Sequence, residues 1–249
     1  MIRSRWLFVY TGFYMLTTLA LLLLSGDIAK VIISLTNVVI VLTPLIGILL
    51  GTTYYYNSKE FMQLLMAQDL SRWAIFSGMY LGMAGALCLS LLLGVGLPFL
   101  GYGVLTSPDL IAFVFLVVVA CILSVIFSLI AFLVAMRFDD KVKGLSVSLF
   151  IWLFFAILYD GLFLLLLLAF KEYPLDNLTL TMVVLNPIDL ARILILLKLD
   201  LSAMMGYTGA VLAKFMGKGF GMLLIALSLV LWMVLPLWRL KVVGQRKDF

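Results

Sequence analysis

The residues LIAFVFLVVVACILSVIFSLIAFLVAM at positions 110–136 carry no charge, and RFDDKVK at 137–143 follows them at once. A helix rises about 1.5 Å per residue, so about 20 apolar residues cross a hydrocarbon core of roughly 30 Å. This run is therefore long enough to span a membrane, and the charged segment after it marks a return to water. The same reading extends outward in both directions. Residues 6–26, 31–58, 73–108 and 219–238 are free of charge, and 144–170 is interrupted only by Asp160. Six spans are predicted, at about 6–26, 31–56, 73–100, 110–136, 145–170 and 219–240. The runs are apolar on every face, unlike the alternating strands of about 10 residues that build barrels. With no water to satisfy the peptide groups, helix is the remaining choice. A soluble domain is roughly 25% charged and 45–50% apolar; this chain is 12% charged and 65% hydrophobic. The expected fold is an all-α membrane protein, one transmembrane domain over residues 1–249.

Charge sets the threading. Arg3, Arg5, Lys59, Arg72, Arg137, Lys141, Lys143, Arg239, Lys241, Arg246 and Lys247 fall on one side, and the two short loops opposite hold only Lys30. The positive-inside bias puts both termini in the cytoplasm; the long segment 171–218 has little weight in that rule. The net charge of +5 is accordingly a topology signal directed at anionic lipid, and no nucleic-acid footprint. The first span reads as a retained helix, because no cleavage site follows it.

Three segments between spans stand out. In 56–72, Phe61, Leu64 and Leu65 share a helical face with Met62 and Met66 beside them, while Lys59, Glu60, Gln63 and Asp69 are polar. This is a short amphipathic cytoplasmic helix that either floats at the interface or docks into a partner. Residues 137–143, with Asp139 and Asp140 among the cations, read as a solvated connector. In the external segment 171–218, Asn186-Pro187-Ile188-Asp189 has the form of a helix start: Asn186 can cap, Pro187 lacks only a donor that would be orphaned, and Asp189 suits the positive helix end. Leu190, Ile193, Leu194 and Leu197 recur at helical spacing, with Arg192 off that face. That helix is predicted to lie at the outer interface or to pack on the bundle, with Asp189 and Arg192 close enough to pair. Residues 204–210, beginning Met204-Met205, read as an external loop able to touch a partner.

Asp160 is the one ionisable acid or base deep in a span. A charge at the bilayer centre costs from about 3 to more than 10 kcal/mol, so it must face a polar partner or a wet cavity, or be protonated. A pathway or switch role and a neutral acid bonded to a neighbouring helix are both open; Asn37, Thr43 and Tyr54, Tyr55 and Tyr56 are candidate partners. Gly47/Gly51, Gly78/Gly82, Gly217/Gly221 and Ser124/Ser128 have the spacing of close helix contacts. Pro44 is predicted to kink span two, and Pro98 and Pro236 to sit near helix ends.

The chain has no His, and its two cysteines, Cys88 and Cys121, fall within spans. Neither a disulfide framework nor a zinc site is indicated. Met204 and Met205 alone make a weak copper site. There is no H-E-x-x-H or G-x-S-x-G motif, Gly217-Lys218 lacks the remainder of a phosphate loop, and one Asp cannot form a protease dyad. A single intramembrane acid is thin support for an ion-driven carrier.

The arrangement resembles the permease subunits of ABC exporters of the second class, and within them those that serve maturation of a periplasmic copper enzyme. The likeness covers nearly the whole chain. Its more specific pieces are Asp140-Lys141-Val142-Lys143-Gly144-Leu145, Trp152 with Tyr159-Asp160, the run from Leu185 through Asn186-Pro187-Ile188-Asp189 to Arg192, and Ser202-Ala203-Met204-Met205-Gly206. The resemblance implies a bacterial inner-membrane permease. It is expected to hold no cofactor itself, with ATP and Mg bound by a separate ATPase. Lys59, Glu60, Leu64, Leu65 and Arg72 would form the coupling helix seated on that ATPase. Two permease copies would pair, and Asn186, Pro187, Asp189, Arg192, Met204 and Met205 would face a periplasmic binding protein. The implied function is substrate export or copper-enzyme maturation; the alternative is a mechanical transmitter that carries nothing across. Two departures are visible: such permeases usually begin with an amphipathic helix where this chain has Met1 to Arg5, and Asp69 stands where Pro is common.

Overall fold

A computed structural model describes residues 5–68, 70–170, 176–198 and 220–246. Met204, Met205, Asp69 and Gly217 lie outside them. The described chain forms α1 (Arg5–Ser25), α2 (Ile28–Asn57), α3 (Lys59–Met66), α4 (Arg72–Gly101), α5 (Leu110–Arg137), α6 (Lys141–Leu153), α7 (Tyr159–Ala169), α8 (Asp176–Leu185), α9 (Pro187–Lys198) and α10 (Phe220–Arg246). A π-helical turn, Phe154–Leu158, joins α6 to α7. Among the described residues six helices are long and apolar enough to cross a membrane, with α6, the π turn and α7 counted as one. They fall on the six charge-free runs, as the fold class requires.

Helix starts follow from local chemistry. Asp27, Ser71 and Asp140 each accept a backbone N–H in the first turn of α2, α4 and α6, from Ala29, Ala74 and Val142. Between α1 and α2 the chain reverses at Gly26, whose φ of 64° favours glycine. Of Pro44, Pro98 and Pro236, one lies close to a helix end. Pro98 lies close to the end of α4, but α10 runs on through Pro236 to Arg246, and α2 is continuous through Pro44.

At the centre α5 contacts α2, α4, α6, α9 and α10. Gly47 and Gly51 of α2 lie directly against Ser124 and Ser128 of α5, so two of the small-residue pairs face each other. Gly78 and Gly82 have open space around them. A buried hydrogen bond of 2.7 Å between the Tyr14 and Thr43 hydroxyls ties α1 to α2, and Trp152 donates to the Val41 carbonyl at 3.1 Å to seat α6 on α2. Thr43 is thus engaged away from Asp160.

The segment before the last span packs as one of the two expected alternatives. Residues 179–185 of α8 and 187–196 of α9 form a pair bent by 110°. Of the two places expected for it, α9 takes the bundle, against α5, α2 and α10. Leu190, Ala191 and Ile195 are fully buried there. Its apolar repeat is what a helix needs when it re-enters a protein interior, where irregular backbone at membrane depth is tolerated.

Candidate functional site

Two polar regions sit along one helical rod, α6–π turn–α7, the first at its α6 end and the second past its middle. The first gathers around α3. Met62 is fully buried, with Leu65 and Met66 half-buried against the bundle, while Glu60, Phe61, Gln63 and Leu64 are exposed. The spacing 62, 65, 66 is the inward stripe and 61, 64 the outward one. This divides the predicted apolar face: Leu65 points to the bundle, and Phe61 and Leu64 away from it. The start of α3 and the end of α2 are both tied to the turn before α6. Lys59 Nζ pairs with Asp139 Oδ1 at 3.3 Å, Lys141 Nζ donates to Asn57 Oδ1 at 3.2 Å, and the Tyr56 hydroxyl lies 2.7 Å from the Phe138 carbonyl and 3.2 Å from that of Asp140. Residues 137–143 stay exposed except for the half-buried Phe138, as a solvated connector should, and these bonds fix where the turn lies. A Cβ at Gly144 would collide with the Tyr56 ring and hydroxyl, so glycine is required for this approach. Arg72 opens α4 at the exposed edge of the same end.

The second region lies nine residues from the far end of α7, about 13 Å along the helix. Asp160 meets neither Tyr54, Tyr55 nor Tyr56; its partner is Arg192. The Arg192 Nη1 stands 3.2 Å from Asp160 Oδ2 and 3.2 Å from Asp189 Oδ1, shared between two carboxylates. The Asp189–Arg192 pair forms as the spacing predicts, with Asp189 buried. Asn186 is fully buried and uses both ends of its amide. Its Oδ1 accepts from Ile188 N at 3.0 Å, the predicted cap. Its Nδ2 donates to Asp189 Oδ2 at 2.9 Å and to the Phe155 carbonyl at 3.1 Å. That carbonyl belongs to the π turn, whose extra residue disrupts the regular bonding of the rod. The Tyr159 hydroxyl completes the junction by donating to the Met182 carbonyl at 2.6 Å.

A cavity of about 430 Å³ opens beside this cluster, lined by Asp160, Asp189, Arg192 and Asn37 with apolar Phe163 and Val183. Asn37 is thus near the acid, as predicted, through a shared cavity. Asn186, Pro187 and Asp189 are buried and Arg192 half-buried, so these side chains join the hairpin to the chain's own interior and do not stand outward as contacts. Tyr159, Met182 and the Phe155 carbonyl were missed. The sole sequence signal was the polar neighbour of Asp160, since a π turn has no compositional mark. No group of three or more metal-ligating side chains occurs among the described residues.

No protein-family model matches the chain. It is similar to a probable ABC transporter permease protein NosY of Stutzerimonas stutzeri, 25% identical with 95% of this chain and 88% of that protein covered. A probable NosY of Pseudomonas aeruginosa is also 25% identical, covering 81% of this chain and 79% of that protein. Six apolar helices and likeness over most of the length make this chain a multi-pass membrane protein distantly related to ABC transporter permeases.

Proposed function

We propose that the chain is the permease subunit of an ABC transporter, non-catalytic itself and driven by a separate ATPase that holds ATP and Mg. The observation that carries this reading is α3: a helix outside the six spans, anchored by Met62, presenting Phe61 and Leu64 with Glu60 to the exterior. The relatives' names supply the class of partner. In this reading α3 lies on the cytoplasmic side of a bacterial inner membrane with both termini, two copies pair with two ATPases, and the opposite face engages a periplasmic protein. By analogy with NosY that protein serves copper-enzyme maturation.

A second reading, a transmitter that moves a periplasmic partner and transports nothing, has its own support. The rod of α6 and α7 is tied at its α6 end to α3 by the Lys59–Asp139 pair and to α2 by Tyr56, and around its π turn to α8 and α9 through Tyr159, Asp160 and the Phe155 carbonyl. Meanwhile the buried hydroxyls of Thr36 and Ser124 bond back to their own helices, and Thr52 bonds both its own helix and Ser148 of α6.

Glu60→Lys, or Leu64→Pro, which breaks an interior helical turn at about 3 kcal/mol, is expected to abolish stimulation of the ATPase in the reconstituted complex. The purified variants should still elute as folded chains. Wild-type hydrolysis rates in both variants would refute the coupling role. Substrate accumulation in sealed vesicles separates the two readings: ATP-driven uptake favours a conduit, and partner motion without uptake favours a transmitter.

A further inference from the structure

A second cavity, about 780 Å³, lies at the α3 end of the bundle. It belongs to neither polar region above. Its floor is α5, through Ile130, Leu133 and Val134; Val147 of α6 forms one wall and Leu235 of α10 the other. Both α6 and α10 pack on α5 and diverge from each other, which opens the groove. At its mouth stand Arg137, the last residue of α5, and Arg239 with Trp238 on α10. Both arginines are exposed. Among the described residues no acidic side chain lines the groove, and the acids that follow α5 are engaged elsewhere: Asp139 with Lys59, and Asp140 with the Val142 N–H.

We infer that this groove binds a phospholipid with an anionic headgroup, its phosphate held by Arg137 and Arg239 and an acyl chain laid along α5. Charge complementarity selects the headgroup, because two guanidiniums without a lining acid form a site for phosphate oxygens. The apolar floor selects a lipid over a free anion. Trp238 at the mouth marks the level where an aromatic ring sits between headgroup and acyl region, and basic clefts between spanning helices are a recognised mode of lipid capture. The volume falls within the roughly 300–1,000 Å³ of ordinary ligand sites. The inference stands apart from the ATPase reading, since it needs only that α5 and α10 cross a bilayer.

The test uses the full chain purified in mild detergent and delipidated. Binding of phosphatidylglycerol, phosphatidylcholine and inorganic phosphate is followed by native mass spectrometry and by thermal shift. Phosphatidylglycerol should be retained and raise the melting temperature, and the other two should not. Removing both cations with R137Q and R239Q should weaken its binding by about tenfold or more, the scale of losing charge-assisted contacts. L235W, which fills the groove and spares both arginines, should do the same. Removing two cations of the same end, with K143Q and K241Q, should leave binding within about twofold, since diffuse surface charge is screened by salt. Equal binding of phosphatidylcholine, an equal shift with inorganic phosphate, or an equal loss in the Lys143/Lys241 variant would overturn the site. So would a dimer that retains no lipid and is broken by L235W, which would make a second copy the occupant.

Discussion

Replacing Arg192 by methionine is expected to destabilise the chain by about 3 kcal/mol, and adding Asp160→Asn should recover much of that loss. One guanidinium nitrogen stands 3.2 Å from each of two carboxylates on different helices. Without it, two like charges face each other with the Asp189 side chain only 10% exposed. Breaking a buried pair by removing one partner costs about 3–5 kcal/mol, because the surviving charge loses its compensation. The lower end applies here, since the Arg192 and Asp160 side chains are 31% and 35% exposed. Methionine keeps the apolar stem, so lost packing contributes little. Asp160→Asn alone leaves one acid for one base and is expected to cost no more than about 1 kcal/mol. A double-mutant cycle by denaturant titration in mixed micelles measures the difference, where contacting groups show coupling of about 0.5–3 kcal/mol. An Arg192→Met variant within 0.5 kcal/mol of wild type would show that the cluster holds nothing together. So would Asp160→Asn deepening the loss.

Spans were legible because lipid imposes a simple rule: no charge over some 20 residues. Cap chemistry was legible because it is local. The Asn186 Oδ1 accepts from a first-turn N–H of the helix that follows it. What the sequence could not show was the partner of a group whose bond is long-range. Arg192 lies 32 residues from Asp160, and nothing in the local pattern prefers it over Asn37 or a tyrosine of α2. Nor does periodicity resolve α3. Five of its eight residues are apolar, so Phe61 with Leu64 and Met62 with Leu65 are equally good stripes. Tertiary contact decided between them, when Met62 entered the core around Phe76 and Phe132. For α9 the sequence left two places open, an outer interface or the bundle, because Asp160, the second acid that Arg192 meets, lies on another helix.

Gly51→Leu should cost about 3 kcal/mol or prevent folding, while Gly82→Leu on α4 should change stability by less than about 0.5 kcal/mol. Both glycines close a GxxxG pair, and the sequence treats them alike. In the fold they differ. A Cβ at Gly51 would stand 2.9 Å from the Ala131 Cβ and 3.2 Å from the Ser128 carbonyl oxygen, and a leucine carries three further carbons into the same space. Relief would require α2 and α5 to separate, and that pair is the principal packing contact of the bundle. Without a hydrophobic drive between helices in lipid, close backbone approach is itself a main source of attraction, so a spacer atom forfeits it along the whole crossing. At Gly82 nothing lies within 4 Å, and leucine there gains helix propensity. Thermal unfolding of both variants in one detergent makes the comparison. If Gly82→Leu loses as much as Gly51→Leu, the open face of α4 is held by another chain; if neither loses, α2 and α5 do not cross as closely as their glycines and serines require.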